Sequence, residues 1–154
     1  MRPAIPLKLK RPRSNLRLQF PAFQYSLSGI IALRVKILVA DDDEEILRLL
    51  EIGLRPAGIQ VCKAHDAWKA FDLAKKELPD AILLDITMPK GSGLDVLRLL
   101  KASPGTEHIP VIVISGSADP EMPAKVKALG AADYVAKPFD IPRIQAVLTT
   151  HLSP

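Results

Sequence analysis

From Val35 onward the chain alternates short apolar runs with longer segments whose apolar residues recur at helical spacing. The runs are "VKILVA", "IQVCKA", "AILLD", "VIVIS" and "DYVAK". Runs this short and apolar read as strands covered on both faces, as a parallel sheet requires. Between them, "DEEILRLLEIGL" places Ile46, Leu49, Leu50 and Leu54 on one helical face, and "DAWKAFDLAKKEL" does the same with Ala67, Ala70, Phe71, Ala74 and Leu78. A third helix is expected from about Gly93 to Ala102, and a fourth ends near Gly130. The fifth runs from about Asp140 to His151 with Ile144, Val147 and Leu148 inward. Five β-α units thus fill residues 35–152, which predicts an α/β domain with a parallel sheet between two helical layers. Pro120 and Pro123 both fall in "SADPEMPAKVKALG", and proline suits only a helix's first turn, so the fourth helix should be short and start as late as Pro123.

Residues 1–34 break this rhythm. They mix prolines and basic residues with scattered aromatics and hold no sustained period, so little fixed structure is expected there. The segment reads as a signal or transit peptide, being Arg-rich and acid-free, as a basic N-terminal extension, or as a misassigned start, with the protein beginning near Val35. Its apolar stretch "LSGIIAL" falls well short of the roughly 20 residues a bilayer span needs, and no A-x-A cleavage site follows it.

Charge follows the same division. The formal net charge is +4, yet residues 1–36 carry eight Lys or Arg and no acid, leaving 13 basic against 17 acidic residues from 37 onward. The domain itself is therefore acidic, and a nucleic-acid partner would rest on the tail alone, through salt-sensitive phosphate contacts without base readout. The single cysteine, Cys62, forms no internal disulfide and reads as a small buried hydrophobe of a strand, which points to a reducing, cytoplasmic setting.

The chemistry collects where the strands end. The first runs into "DDDEE", Asp41 to Glu45. Helix capping accounts for Asp43, Glu44 and Glu45, but not for Asp41 and Asp42 as well. Carboxylates crowded at one strand end repel unless a cation relieves them, and Mg²⁺ prefers such oxygen ligands. Asp85 ends the third strand, Ser115 the fourth and Lys137 the fifth. Singly, each has a plain reading as a turn, cap or surface residue. Together, one topology brings acids, a hydroxyl and an amine to the same sheet edge, where open α/β sheets bind ligands. A carboxylate nucleophile, a divalent metal and cationic and hydroxyl donors suit a phosphoryl group.

The segments "KILVADDDEE", "LLDITMPKGSG", "PVIVISGSAD" and "ADYVAKPF", in this order and spacing, resemble the receiver domain of bacterial two-component response regulators. The resemblance covers residues 35–152 and implies a flavodoxin-like fold with strand order 2-1-3-4-5. It implies that Asp85 accepts a phosphoryl group from a histidine kinase or phosphotransfer protein, and that Mg²⁺ is held by Asp85, Asp42, the Thr87 backbone carbonyl and, largely through water, Asp41. Ser115 matches the hydroxyl that turns toward the phosphoryl group, Lys137 the cation that pairs with it, and Tyr134 the aromatic that follows the switch. A cis Lys137-Pro138 bond is implied as well. Ser92 departs from the common pattern, which often has Asp before the glycine. Signalling by protein contact, through the fourth helix, fifth strand and fifth helix, is expected of a single-domain regulator that is no enzyme beyond its own phosphorylation and dephosphorylation.

A rival enzyme reading is a Mg²⁺-dependent phosphatase with an aspartate nucleophile, of the haloacid dehalogenase type. Such enzymes carry a second acid two residues after the nucleophile, and Thr87 stands there instead. His65, His108 and His151 share no metal-ligand spacing and read as surface or loop residues. Trp68, off the apolar face of its helix, reads as a partly exposed aromatic.

Overall fold

The computed structural model describes residues 35–152. The expected extension, residues 1–34, lies outside them. Five strands, β1 (Lys36–Ala40), β2 (Gln60–Ala64), β3 (Ala81–Asp85), β4 (Val111–Ser115) and β5 (Asp133–Ala136), form one parallel sheet in the order β2-β1-β3-β4-β5. Five helices alternate with them: α1 (Glu44–Leu54), α2 (Ala67–Glu77), α3 (Gly93–Ala102), α4 (Met122–Ala128) and α5 (Ile141–Leu152).

Strand alternation divides the interior into two cores. Leu38, Ala40, Ile82, Leu84, Val111 and Val113 face the layer that includes α2, α3 and α4, while Ile37, Val39, Leu83, Ile112 and Ile114 face α1 and α5. The central strands β3 and β4 are buried throughout, which explains their unbroken apolar sequence. At the sheet's edge β2 is only half covered, so Cys62 lies in a strand against the core as expected but is half-buried, not buried.

Side-chain caps start the helices where the sequence stops being strand. Asp43 accepts from the Glu45 amide, Asp66 from Lys69 at 2.7 Å, and Asp140 from Arg143 at 2.9 Å. Ser92 accepts from Asp95, so the departure from the family's common acid leaves α3 capped. α4 is seven residues long with Pro123 in its first turn, as expected.

Two inward assignments are corrected. In α1 the buried stripe is Leu47, Leu50 and Leu54, with Ile46 at its margin, and Leu49 is 46% exposed. The apolar band of this helix is wider than the strip covered by the sheet and α5, so spacing alone placed its centre one residue off. Leu78 is 49% exposed because it ends α2 in the left-handed conformation (φ 46°), its amide donating to the Ala74 carbonyl. Accordingly, Leu50→Ala is expected to lower stability in urea unfolding by about 2–5 kcal/mol, whereas Leu49→Ala should stay within about 0.5 kcal/mol. Equal losses would place both side chains in the core.

Candidate functional site at the sheet edge

Parallel strands with paired registers bring their carboxyl ends to one edge. Asp85 pairs in register with Ile114, and Ser115 with Ala136, so the residues that end β3, β4 and β5 stand side by side. Asp41 follows β1 and is fixed by its amide, which donates to the Ala64 carbonyl at 3.1 Å. Asp41 and Asp85 are each 2% exposed, and Ser115 is fully buried.

The ammonium of Lys137 lies between the two buried carboxylates, 2.7 Å from Asp41 Oδ2 and 3.0 Å from Asp85 Oδ2. Its backbone amide donates to the Ser115 carbonyl at 2.8 Å, and the Lys137-Pro138 bond is cis. The remaining oxygens are also occupied. Asp41 Oδ1 accepts from the Asp43 amide, and Asp85 Oδ1 accepts from the Thr87 amide at 2.8 Å and the Thr87 hydroxyl at 2.6 Å. That second bond went unread in the sequence, where Thr87 was given a role only through its carbonyl. A hydroxyl two residues beyond a strand-end aspartate is the signal that could have found it.

One cation shared by two buried acids compensates them incompletely. Burial pushes the Asp41 carboxyl above its ordinary range, more than the Lys137 and Asp43 hydrogen bonds pull it down, and the Asp85 charge adds to the rise. Burial presses the Lys137 ammonium downward, but its bonds to Asp41 and Asp85 outweigh this and hold it above the ordinary lysine value of 10.5. Asp42 is exposed and completes a group of three carboxylates whose oxygens lie within 4.8 Å of one another. Among the described residues this is the one such group. An all-oxygen donor set with uncompensated negative charge fits a hard divalent cation such as Mg²⁺.

The loop leaving β3 is held close to this centre. A Cβ on Gly93 would stand 2.4 Å from Ile86 Cα and 2.9 Å from the Asp85 carbonyl oxygen, so α3 can start against the strand exit only with glycine there. Ser115 Oγ accepts from the Ser117 amide at 3.0 Å. Tyr134 is not among the groups touching the carboxylates; it sits half-buried on β5 against the α2–α3–α4 core. Of the histidines, His65 and His108 are exposed. His151 ends α5 as the helical spacing predicts, but its side chain, expected on the surface, is half-buried and 2.9 Å from Asp133 Oδ2.

The family model of the response regulator receiver domain matches residues 37–149, and the chain belongs to that family. Polar-differentiation response regulator DivK of Brucella anthropi is 29% identical over 116 residues, which cover 75% of this chain and 94% of DivK. Response regulator PleD of Caulobacter vibrioides is 41% identical over 113 residues, covering 70% of this chain but only 24% of PleD. A probable cyclic di-GMP phosphodiesterase of Vibrio cholerae is likewise matched over 26% of its length, at 37% identity and 75% of this chain. The chain thus spans about a quarter of these two relatives and nearly all of DivK. Among solved structures, chemotaxis protein CheY4 of Vibrio cholerae superposes with a TM-score of 0.72 at 27% identity, over 77% of this chain and 99% of its own. The domain is thus a receiver domain of the kind found in response regulators, and neither the phosphatase nor the nucleic-acid reading gains support.

Because Lys137 is the ammonium shared by two buried acids, Lys137→Ala in chelator is expected to lower stability by about 2 kcal/mol, below the loss for a wholly buried pair since the lysine is 20% exposed. Millimolar Mg²⁺ should narrow that difference. A raised lysine pKa contributes stability in full below its unfolded value of about 10.5 and loses it as pH rises through the higher folded value, so the difference should shrink in strong alkali. Urea unfolding at several pH values checks both, and a mutant as stable as wild type in chelator would show that the ammonium does not hold the acids together.

Proposed function

We propose that Asp85 accepts a phosphoryl group in a Mg²⁺-dependent reaction with the phosphohistidine of a kinase or phosphotransfer protein. The observation that carries this is the buried Asp85 carboxylate at the common edge with Asp41, Asp42, Ser115 and Lys137. A carboxylate oxygen of Asp85 attacks phosphorus, the P–N bond of the donor breaks, and the freed imidazole nitrogen takes a proton from water. Bound by Asp41, Asp42, Asp85 and the Thr87 carbonyl, Mg²⁺ would supply charge screening for the phosphoryl oxygens. Lys137 turns from the carboxylates toward those oxygens, and Ser115 donates its hydroxyl to them. The chain works on itself and not on a released substrate, and no helix among the described residues is long and apolar enough to cross a membrane. With its one cysteine and a kinase donor that uses ATP, the cytoplasm is the compartment we assign.

Output runs through a series of side-chain-to-backbone bonds. Ser115 Oγ accepts from the Ser117 amide, Ser117 Oγ from the Asp119 amide at 3.1 Å, and Asp119 Oδ1 from the Glu121 amide at 2.9 Å, ending at the N-cap of α4. Lys125 of α4 holds the other Asp119 oxygen at 2.7 Å. Phosphorylation adds about −1.5 to −2 charges at the sheet edge. Drawing Ser115 toward that charge removes the first bond of the series and loosens the start of a helix only seven residues long. Tyr134 then has room to swing inward, and the α4–β5–α5 face offered to a downstream protein changes.

A small phosphodonor with Mg²⁺ is expected to add one phosphoryl group by mass spectrometry, and Asp85→Asn to add none; undiminished labelling of that variant would place the acceptor elsewhere. With beryllofluoride, amide exchange should change at Ser117, Asp119 and Glu121. Change confined to the loop after Asp85 would mean that the signal leaves by another face.

A further inference from the structure

Trp68 is the chain's one tryptophan and half of it is open to solvent, yet its position is not that of an idle surface residue. It stands in the first turn of α2, a turn fixed by the Asp66 cap and by fully buried Ala67 and Ala70. The indole lies against the loop between β3 and α3. A Cβ built on Gly91 would fall 2.6 Å from Trp68 Nε1 and 2.9 Å from Cδ1, and Gly91 itself has a φ of +86°. Only glycine meets both the left-handed backbone and the indole's approach. The loop is pinned at its start by the Thr87 bonds to Asp85, in its middle by buried Met88 and at its end by the Ser92 cap. Between Met88 and Ser92 the residues are exposed, and there the indole stands beside the Gly91 backbone.

We propose that Trp68 is a positioning residue for phosphorylation of Asp85, its indole clamping the Gly91 backbone so that the loop carrying Thr87 is held ready for the divalent cation. This rests on the Asp85 reading above. Supporting groups one step removed from a metal often change its affinity more than they change stability, because they remove the cost of ordering a ligand. The clamp joins α2, an element that contributes none of the site's own side chains, to the one loop that follows the phospho-acceptor. It also makes the chain's intrinsic fluorescence a reporter of that loop.

The test uses the full chain, with Mg²⁺ and then beryllofluoride as probes and emission at Trp68 as the first readout. Emission is expected to change saturably with Mg²⁺, at the same midpoint as the Mg²⁺ dependence of Asp85 labelling by acetyl phosphate. Trp68→Ala should raise that midpoint by at least about three-fold while keeping the labelling rate at saturating Mg²⁺, and Trp68→Phe should return it to within about two-fold of wild type. Melting temperatures in chelator establish that the variants are folded; should Trp68→Ala fail to fold, Trp68 emission in the wild type and the Trp68→Phe midpoint still decide. Wild-type emission indifferent to both probes while labelling proceeds, or an unshifted midpoint in folded Trp68→Ala, overturns the clamp. Absence of Mg²⁺-dependent labelling in the wild type would instead overturn the assignment of Asp85.

Discussion

One ammonium group between two buried carboxylates holds the working end of this domain together. Lys137 reaches Asp41 and Asp85 at 2.7 and 3.0 Å, and both acids are almost wholly removed from water. Charges so placed are costly unless paired, and here a single positive charge answers two negative ones with Asp42 close by. The raised carboxyl of Asp41 records the shortfall. Three carboxylates held so close, with one ammonium between two of them, form an all-oxygen donor set that fits a divalent cation.

The fold exists to make that crowding affordable. Two apolar cores lock the sheet from both faces, so the strand ends are held in register whatever their charges prefer. Burial is concentrated in β1, β3 and β4, whereas α4 is short and is tied to the buried Ser115 hydroxyl through the half-exposed side chains of Ser117 and Asp119. Burial is greatest along the strands that end in Asp85 and Ser115 and much lower around the start of α4.

Much of this was legible in the sequence because the interactions concerned are local or follow from topology. Unbroken apolar runs marked the buried strands, and a parallel order then obliged Asp41, Asp85, Ser115 and Lys137 to share an edge. Pro123 fixed the late start of α4. Helix faces were read less well, since the apolar band of α1 is broader than its contact and Leu78 serves as a cap instead of a core residue. The Thr87 hydroxyl bond to Asp85 is local and had a sequence signal, whereas the pairing of His151 with Asp133 and the approach of Trp68 to Gly91 depend on three-dimensional placement that no residue period encodes. The basic stretch of residues 1–34 lies outside the described residues.

The central claim is that Lys137 exchanges its carboxylate partners for the phosphoryl group and that Ser115 moves with it. A crystal structure of the chain with Mg²⁺ and beryllofluoride tests this most directly. The account predicts Lys137 Nζ and Ser115 Oγ within hydrogen-bonding distance of fluoride on Asp85, with the Ser115–Ser117 bond broken. Lys137 still bridging Asp41 and Asp85, with Ser115 still accepting from the Ser117 amide, would contradict it.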